Sequence, residues 1–231
     1  MSPWPGIALV LGLIGVTLAL LHLYQQRCEP PAERVRKLFH MIGAALGVGL
    51  PWLFDRVWPV AFLGSAVLLG LMAVRCSRRL RAGVGRVIHD VGRRSVGDLC
   101  FPLAVCLVFV VTGGDRLRVA IGLLPLMLAD PAAALVGRRW GRHRYRIPGG
   151  VKSLEGSVAF FAIAFLCVAG ALVGAGELPS LATVAAFALF LTVVEALAAR
   201  GLDNLLVPLS AVLAVDFGFI GGTIFPTAPL E

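Results

Sequence analysis

Long apolar runs alternate with short, arginine-rich polar segments along the whole of this chain. A membrane-crossing helix needs roughly 20 mostly apolar residues. Runs of that kind fall at about 5–24, 38–54, 58–74, 99–113, 117–137, 157–175, 179–198 and 205–225, the second and fourth being short. The pattern predicts an all-α, polytopic membrane helical bundle with about eight transmembrane helices, within a range of seven to nine. The connections are short, so residues 1–231 read as a single integral membrane domain without heptads or repeats.

Composition agrees. The chain is 58% hydrophobic and 15% charged, with mean hydropathy +0.89; soluble domains run at about 45–50% and about 25%. The opening MSPWPG has no basic residue ahead of its apolar run, so that run is expected to be a retained span rather than a cleaved signal. Cys28, Cys76, Cys100, Cys106 and Cys167 are scattered without metal-finger spacing and predict free thiols.

The net charge of +8 is informative through its placement. Of the 21 Lys and Arg, 18 fall in the segments after spans one, three, five and seven, and the rest are Arg56, Arg116 and Arg118. Cytoplasmic loops carry such an excess. Residues of about 25–37, 75–98, 138–156 and 199–204 are therefore expected in the cytoplasm, with both termini non-cytoplasmic. The basic charge serves topology, and no nucleic acid is expected.

Ionisable residues at membrane depth or at its edge are candidates for function. Arg36 and His40, like Glu33 and Lys37, are four apart and share a helix face. The group reads either as an anion clamp with a proton-handling histidine or as a snorkelling basic helix end. Asp98 enters span four behind Arg93, Arg94 and Ser95, where a first-turn acid is also ordinary helix chemistry. Asp130 lies about two-thirds along span five and suits a magnesium ligand beside substrate phosphates. Pro131 follows it and is expected to break the helix there.

Lys152, Ser153, Glu155, Gly156 and Ser157 precede span six, where a hydroxyl and backbone N–H groups can meet phosphate. A Walker A loop is rejected: Val151 stands where glycine is required, and no strand is predicted before it. Glu195 closes span seven on an inward face, while Asp203 and Asn204 open span eight and could simply cap it. His22, His89 and His143 have no evident partners, and the Asp216-Phe217-Gly218 string lacks the rest of a protein-kinase motif. The joint observation is stronger than any part. Asp98, Asp130, Lys152, Glu155, Glu195, Asp203 and the Arg36–His40 group all map to the cytoplasmic half. That combination suits a nucleotide with magnesium and a lipid alcohol or lipid phosphate.

The order E-x-x-R-K-x-x-H (Glu33–His40), R-x-x-G-D-x-x-F-P-L (Arg94–Leu103), D-P-A-A-A-x-x-G-x-x-x-G (Asp130–Gly141), K-S-x-E-G-S (Lys152–Ser157) and E-x(7)-D-N-x-x-x-P (Glu195–Pro208) resembles the CTP-dependent polyprenol kinase family. That family includes dolichol kinase, phytol kinase and the yeast-type diacylglycerol kinase. The resemblance implies transfer of the γ-phosphoryl group of CTP, or another nucleoside triphosphate, to the hydroxyl of a membrane lipid alcohol, with Mg2+ or another divalent cation. It implies nucleotide contacts at Arg36, Lys37, Gly137, Lys152, Ser153, Glu155 and Gly156. Metal ligation falls to Asp130 with Glu195 or Asp203, beside Asn204. Asp130, Asp98 and His40 are the catalytic candidates, with Asp98 or Asp130 accepting the alcohol proton. The site is expected on the cytoplasmic face, of the plasma membrane if the source is prokaryotic, with oligomeric state left open. A CTP-dependent lipid-phosphate cytidylyltransferase and an ion-coupled transporter are the competing readings.

Overall fold

A computed structural model describes residues 2–77, 96–148, 150–178 and 180–220, the side chains at 32 and 33 excepted. Arg78 to Ser95, which carry much of the expected second basic loop, and the last residues of the expected eighth span lie outside the described residues. The described chain folds as α1 (Trp4–Cys28), α2 (Ala32–Leu53), α3 (Val57–Cys76), α4 (Gly97–Thr112), α5 (Arg116–Trp140), β1 (Arg144–Ile147), β2 (Gly150–Ser153), α6 (Leu154–Gly174), α7 (Leu181–Leu197) and α8 (Asp203–Asp216). Each expected span thus corresponds to one helix. By length and composition α1, α3, α5 and α6 can cross a membrane, while α4 and α7 are shorter apolar helices of 16 and 17 residues.

Two expectations are corrected. The bundle is helical as expected, but β1 and β2 form an antiparallel hairpin that pairs Arg144 with Ser153 and Tyr145 with Lys152. A strand therefore does precede Lys152. The second correction concerns Asp130, which is helical at φ −63° and ψ −46°. The irregularity lies one turn earlier, where Pro125–Ala129 form a π-helical turn and the Asp130 N–H donates to the Pro125 carbonyl. Pro125 and Pro131 each lack an N–H, and one wider turn between them lets the helix continue.

Where chain direction reverses, the local residues account for it. Gly113 closes α4 at φ +61°, a left-handed conformation open to glycine. The Asp115 carboxylate then accepts the Arg118 N–H at 2.8 Å and caps α5. At the other end of the bundle Arg200 (φ 56°) and Gly201 (φ 90°) turn α7 into α8. That turn is tied to the start of α4: the Val96 N–H donates to the Arg200 carbonyl at 3.1 Å, and Asn204 Nδ2 donates to the Gly97 carbonyl at 2.9 Å.

Among the described residues, two larger packed regions make most of the interior. One joins α5 to α8 around Phe160, Phe187, Leu172 and Leu191. The other joins α1 to α5 around Val108, Phe109 and Leu123, with Val212 of α8 reaching into it. Close helix approach, rather than exclusion of water, holds helices together in lipid. A methyl group on Gly64 of α3 would lie 1.8 Å from Cys106 Sγ of α4. Outward-facing Leu20, Leu69 and Leu166 are exposed, as lipid-facing positions would be. Trp4, Trp52 and Trp58 gather at the end where α1 and α3 begin, with Trp4 and Trp58 rings 5.8 Å apart and Arg116 5.1 Å above Trp52. Such amphipathic rings favour a membrane–water interface.

Candidate functional site

At the end of the bundle opposite these tryptophans, the start of α2, the end of α5, the β-hairpin, the start of α6, the end of α7 and the start of α8 surround an open polar cavity of about 630 Å³. Arg36 and Lys37 enter it from α2, Asp130, Gly137 and Arg138 from α5, Arg144 from β1, and Lys152 and Ser153 from β2. Gly156 and Ser157 of α6, Glu195 of α7 and Asp203 of α8 complete its polar wall. Helix geometry explains the convergence. Asp130 and Gly137 are seven residues apart, two turns along one face.

Charge is arranged in pairs. Lys37 Nζ bonds the Asp130 carboxylate across α2 and α5, with the side chains 14% and 13% exposed. Lys152 Nζ lies 2.7 Å from Glu195 Oε1 and also bonds the Glu195 carbonyl. That carbonyl belongs to the last turn of α7, where helical partners run out, so Lys152 also caps the helix. Asp203 accepts the Asn204 N–H at 3.1 Å. Each ammonium group is thus held beside a carboxylate at a cavity wall, and an incoming anion could exchange for that carboxylate.

The wall between α5 and α6 depends on close backbone approach. A Cβ on Gly137 would meet Ser153 Oγ at 2.9 Å, and one on Gly156 would meet the Ala133 carbonyl at 2.9 Å. The start of α6 therefore lies directly against α5. Ser153 caps α6 by accepting the Gly156 N–H at 3.1 Å. Tyr145, opposite Lys152 in the hairpin, reaches Ser157 with 2.8 Å between the hydroxyl oxygens.

Glu155 stands apart from the cavity wall. Its carboxylate accepts the backbone N–H groups of Arg142 and His143, each at 3.1 Å, and faces His143 Nδ1 at 2.9 Å. It ties the loop after α5 to the first turn of α6, which makes it a positioning residue for the hairpin that carries Lys152. Glu155→Ala should loosen the hairpin and lower the melting temperature, because the bonds to Arg142 and His143 are lost. A melting curve on detergent-purified protein reads this, and an unchanged midpoint would contradict the role.

Other expected residues lie nearby but not in the cavity wall. His40 is buried, its ring 5.0 Å from that of Phe101 of α4. Asp98 is paired with Arg75 of α3, whose Nε lies 3.2 Å from Oδ2. It sits at the mouth of a second, narrow and almost wholly apolar groove of about 90 Å³ between α1, α2, α3 and α4. Asn204 is spent on the Gly97 carbonyl and fixes α8 against α4. The Glu33 side chain lies outside the described residues.

Sequence reasoning missed Arg138 and Arg144, which it assigned to topology, and missed Tyr145. The signal was present: RYRI and GVKS are separated by Pro148-Gly149, a turn dipeptide between two short alternating runs.

No family profile matches the chain, and no solved structure does. Among curated proteins it is similar to the phytol kinase of Synechocystis sp., 31% identical over 216 residues that cover 91% of this chain and 90% of that protein. The match therefore includes all five motifs from Glu33 to Pro208 within one nearly full-length alignment. On that likeness the chain belongs to the CTP-dependent polyprenol kinase family.

Proposed function

We propose that the protein is a lipid kinase that moves the γ-phosphoryl group of a nucleoside triphosphate, CTP by preference, onto the hydroxyl of a membrane lipid alcohol at the cytoplasmic face. The observation that carries this reading is the joining of five cationic side chains and three carboxylates in one cavity, beside an apolar groove whose polar mouth is Asp98. The relative's name supports a phosphoryl acceptor of the prenyl-alcohol class.

Phosphoryl transfer is chiefly positioning and neutralisation of charge. Lys152, Lys37, Arg36, Arg138 and Arg144 would bind the triphosphate, and Ser153 and Gly156 would bring backbone and hydroxyl groups to it. Among the described residues no three acidic, histidine or cysteine side chains converge as a ready-made metal cage. The carboxylates of Asp130, Glu195 and Asp203 fit the other mode, in which Mg2+ takes one or two carboxylates and completes its shell with water and phosphate oxygens. A divalent cation there would neutralise charge on the transferring phosphoryl group. The protein's own part is an exchange: phosphates that engage Lys37 and Lys152 release Asp130 and Glu195 from their ion pairs. Asp98, at the groove mouth, would accept the alcohol proton.

Purified protein offered CTP, ATP, GTP and UTP against phytol, a polyprenol and diacylglycerol tests this reading. Lipid phosphate formed with CTP in preference to the other donors is the expected result. Absence of lipid phosphate from every combination would overturn it.

A further inference from the structure

We infer that the apolar groove among α1 to α4 holds the tail of the acceptor alcohol and measures its length. The inference rests on the lipid-kinase reading and adds to it a substrate size. Four helices line the groove in a consistent order. Asp98, Phe39 and Leu71 mark its polar-end mouth, and Val10, Leu50 and Val60 mark the far end. Those last three are buried and belong to one packed cluster with Phe54 and Phe109, so the groove is stopped there.

Its length can be read from two helices independently. On α2 the lining runs from Phe39 to Leu50, and on α3 from Val60 to Leu71. Each stretch rises eleven residues, or about 16 Å. An extended covalent chain advances roughly 1.2 Å per bond, since a residue of three bonds spans about 3.3–3.6 Å. About 13 bonds therefore fill the groove. That suits the backbone of a sesquiterpenoid or diterpenoid alcohol, whereas a long polyprenol is several times too long. The chemistry also suits one chain with one polar end: the carboxylate of Asp98 is at the mouth, and the walls below it are apolar.

The occupant is thus a prenyl alcohol between farnesol and phytol in length, with its hydroxyl at Asp98 and its tail towards Val60. Two substitutions shorten the groove from facing helices without touching the polar cavity: Ile14→Trp on α1 and Val105→Phe on α4, both at half-buried lining positions. A third, Leu50→Ala, lengthens it. The test measures kcat/KM for geraniol, farnesol, phytol and a long polyprenol with CTP.

Wild type should use phytol at least about tenfold better than the long polyprenol. The plugging variants should lose about tenfold or more with phytol and farnesol while geraniol, short enough to end before the plug, changes less than about threefold, the scale at which methylene-sized misfits are discriminated. Leu50→Ala should shift the preference towards longer chains, and nucleotide KM should stay constant throughout. Kinase activity with one and the same chain-length profile in wild type and variants would overturn the ruler and leave the kinase reading standing. A wild type that uses long polyprenol as well as phytol would do the same. No transfer to any alcohol would instead remove the kinase reading and the groove's occupant with it.

Discussion

Replacing Asp130 with asparagine should lower kcat by roughly a hundred- to a thousandfold, the cost of removing one group aimed at developing charge, while the protein stays folded. Asparagine keeps the shape of the side chain and the helix around it. It loses the negative charge that pairs with Lys37 and that would ligate a divalent cation. Removing one partner of a fully sealed ion pair costs about 3–5 kcal/mol. Both partners here line a polar cavity and remain partly exposed, so the loss of stability should be smaller. The kinetic signature is specific. Lys37, freed of its counter-ion, should bind phosphate at least as well, so nucleotide KM should hold or fall. The Mg2+ concentration needed for half-maximal rate should rise. Steady-state kinetics over Mg2+ and nucleotide, with a detergent melting curve as control, reads all three. An Asp130→Asn enzyme within about threefold of wild-type kcat would sink this assignment.

Lys152→Met should be nearly as damaging for a different reason. Lys152 bonds both the carboxylate and the carbonyl of Glu195. Its removal strips a cation from the cavity, leaves Glu195, only 7% exposed, without its partner, and uncaps the end of α7. The single variant should therefore lose both activity and stability, and alone it cannot separate the two roles. Pairing it with Glu195→Gln removes the stranded charge. The double variant should regain part of the lost stability, the α7 cap still being absent, yet show nucleotide KM raised by about tenfold or more, in keeping with a lost charged contact of about 1.5–3 kcal/mol. Wild-type KM in a stable double variant would make Lys152 a structural clamp and nothing more.

Much of this arrangement was legible in the chain because lipid imposes a strong grammar. Backbone groups must bond within a segment, so apolar runs become helices. The alternation of arginine-rich and arginine-poor connections then sorted the helix ends into two sets. Lys37, Asp130, Lys152, Glu195 and Asp203 could be sent to one end on that ground, and they line one cavity there. What could not be read is pairing. Nothing along the chain says that Lys37 meets Asp130 across 93 positions, or that Lys152 meets Glu195 across 43.

The hairpin was hidden for another reason. Strands of four residues are too short to establish a period, and a helix-rich context drew Arg144 and Arg146 into the topology count. Asp130 was expected at a break because the residue before proline avoids helical geometry. The π turn set up at Pro125 removed that conflict. No run along the chain marks the apolar groove. Its length and its closed far end depend on how α1 packs against α2 and α3, which hydropathy does not encode.

The most direct test follows the label from nucleotide to lipid. Purified protein is given phytol, Mg2+ and CTP labelled at either the γ- or the α-phosphate, and the lipid product is separated. A phosphotransferase built as described here places γ label, and no α label, on the lipid and releases CDP. Label from the α-phosphate on the lipid, with release of pyrophosphate when a lipid phosphate replaces the alcohol, would contradict it.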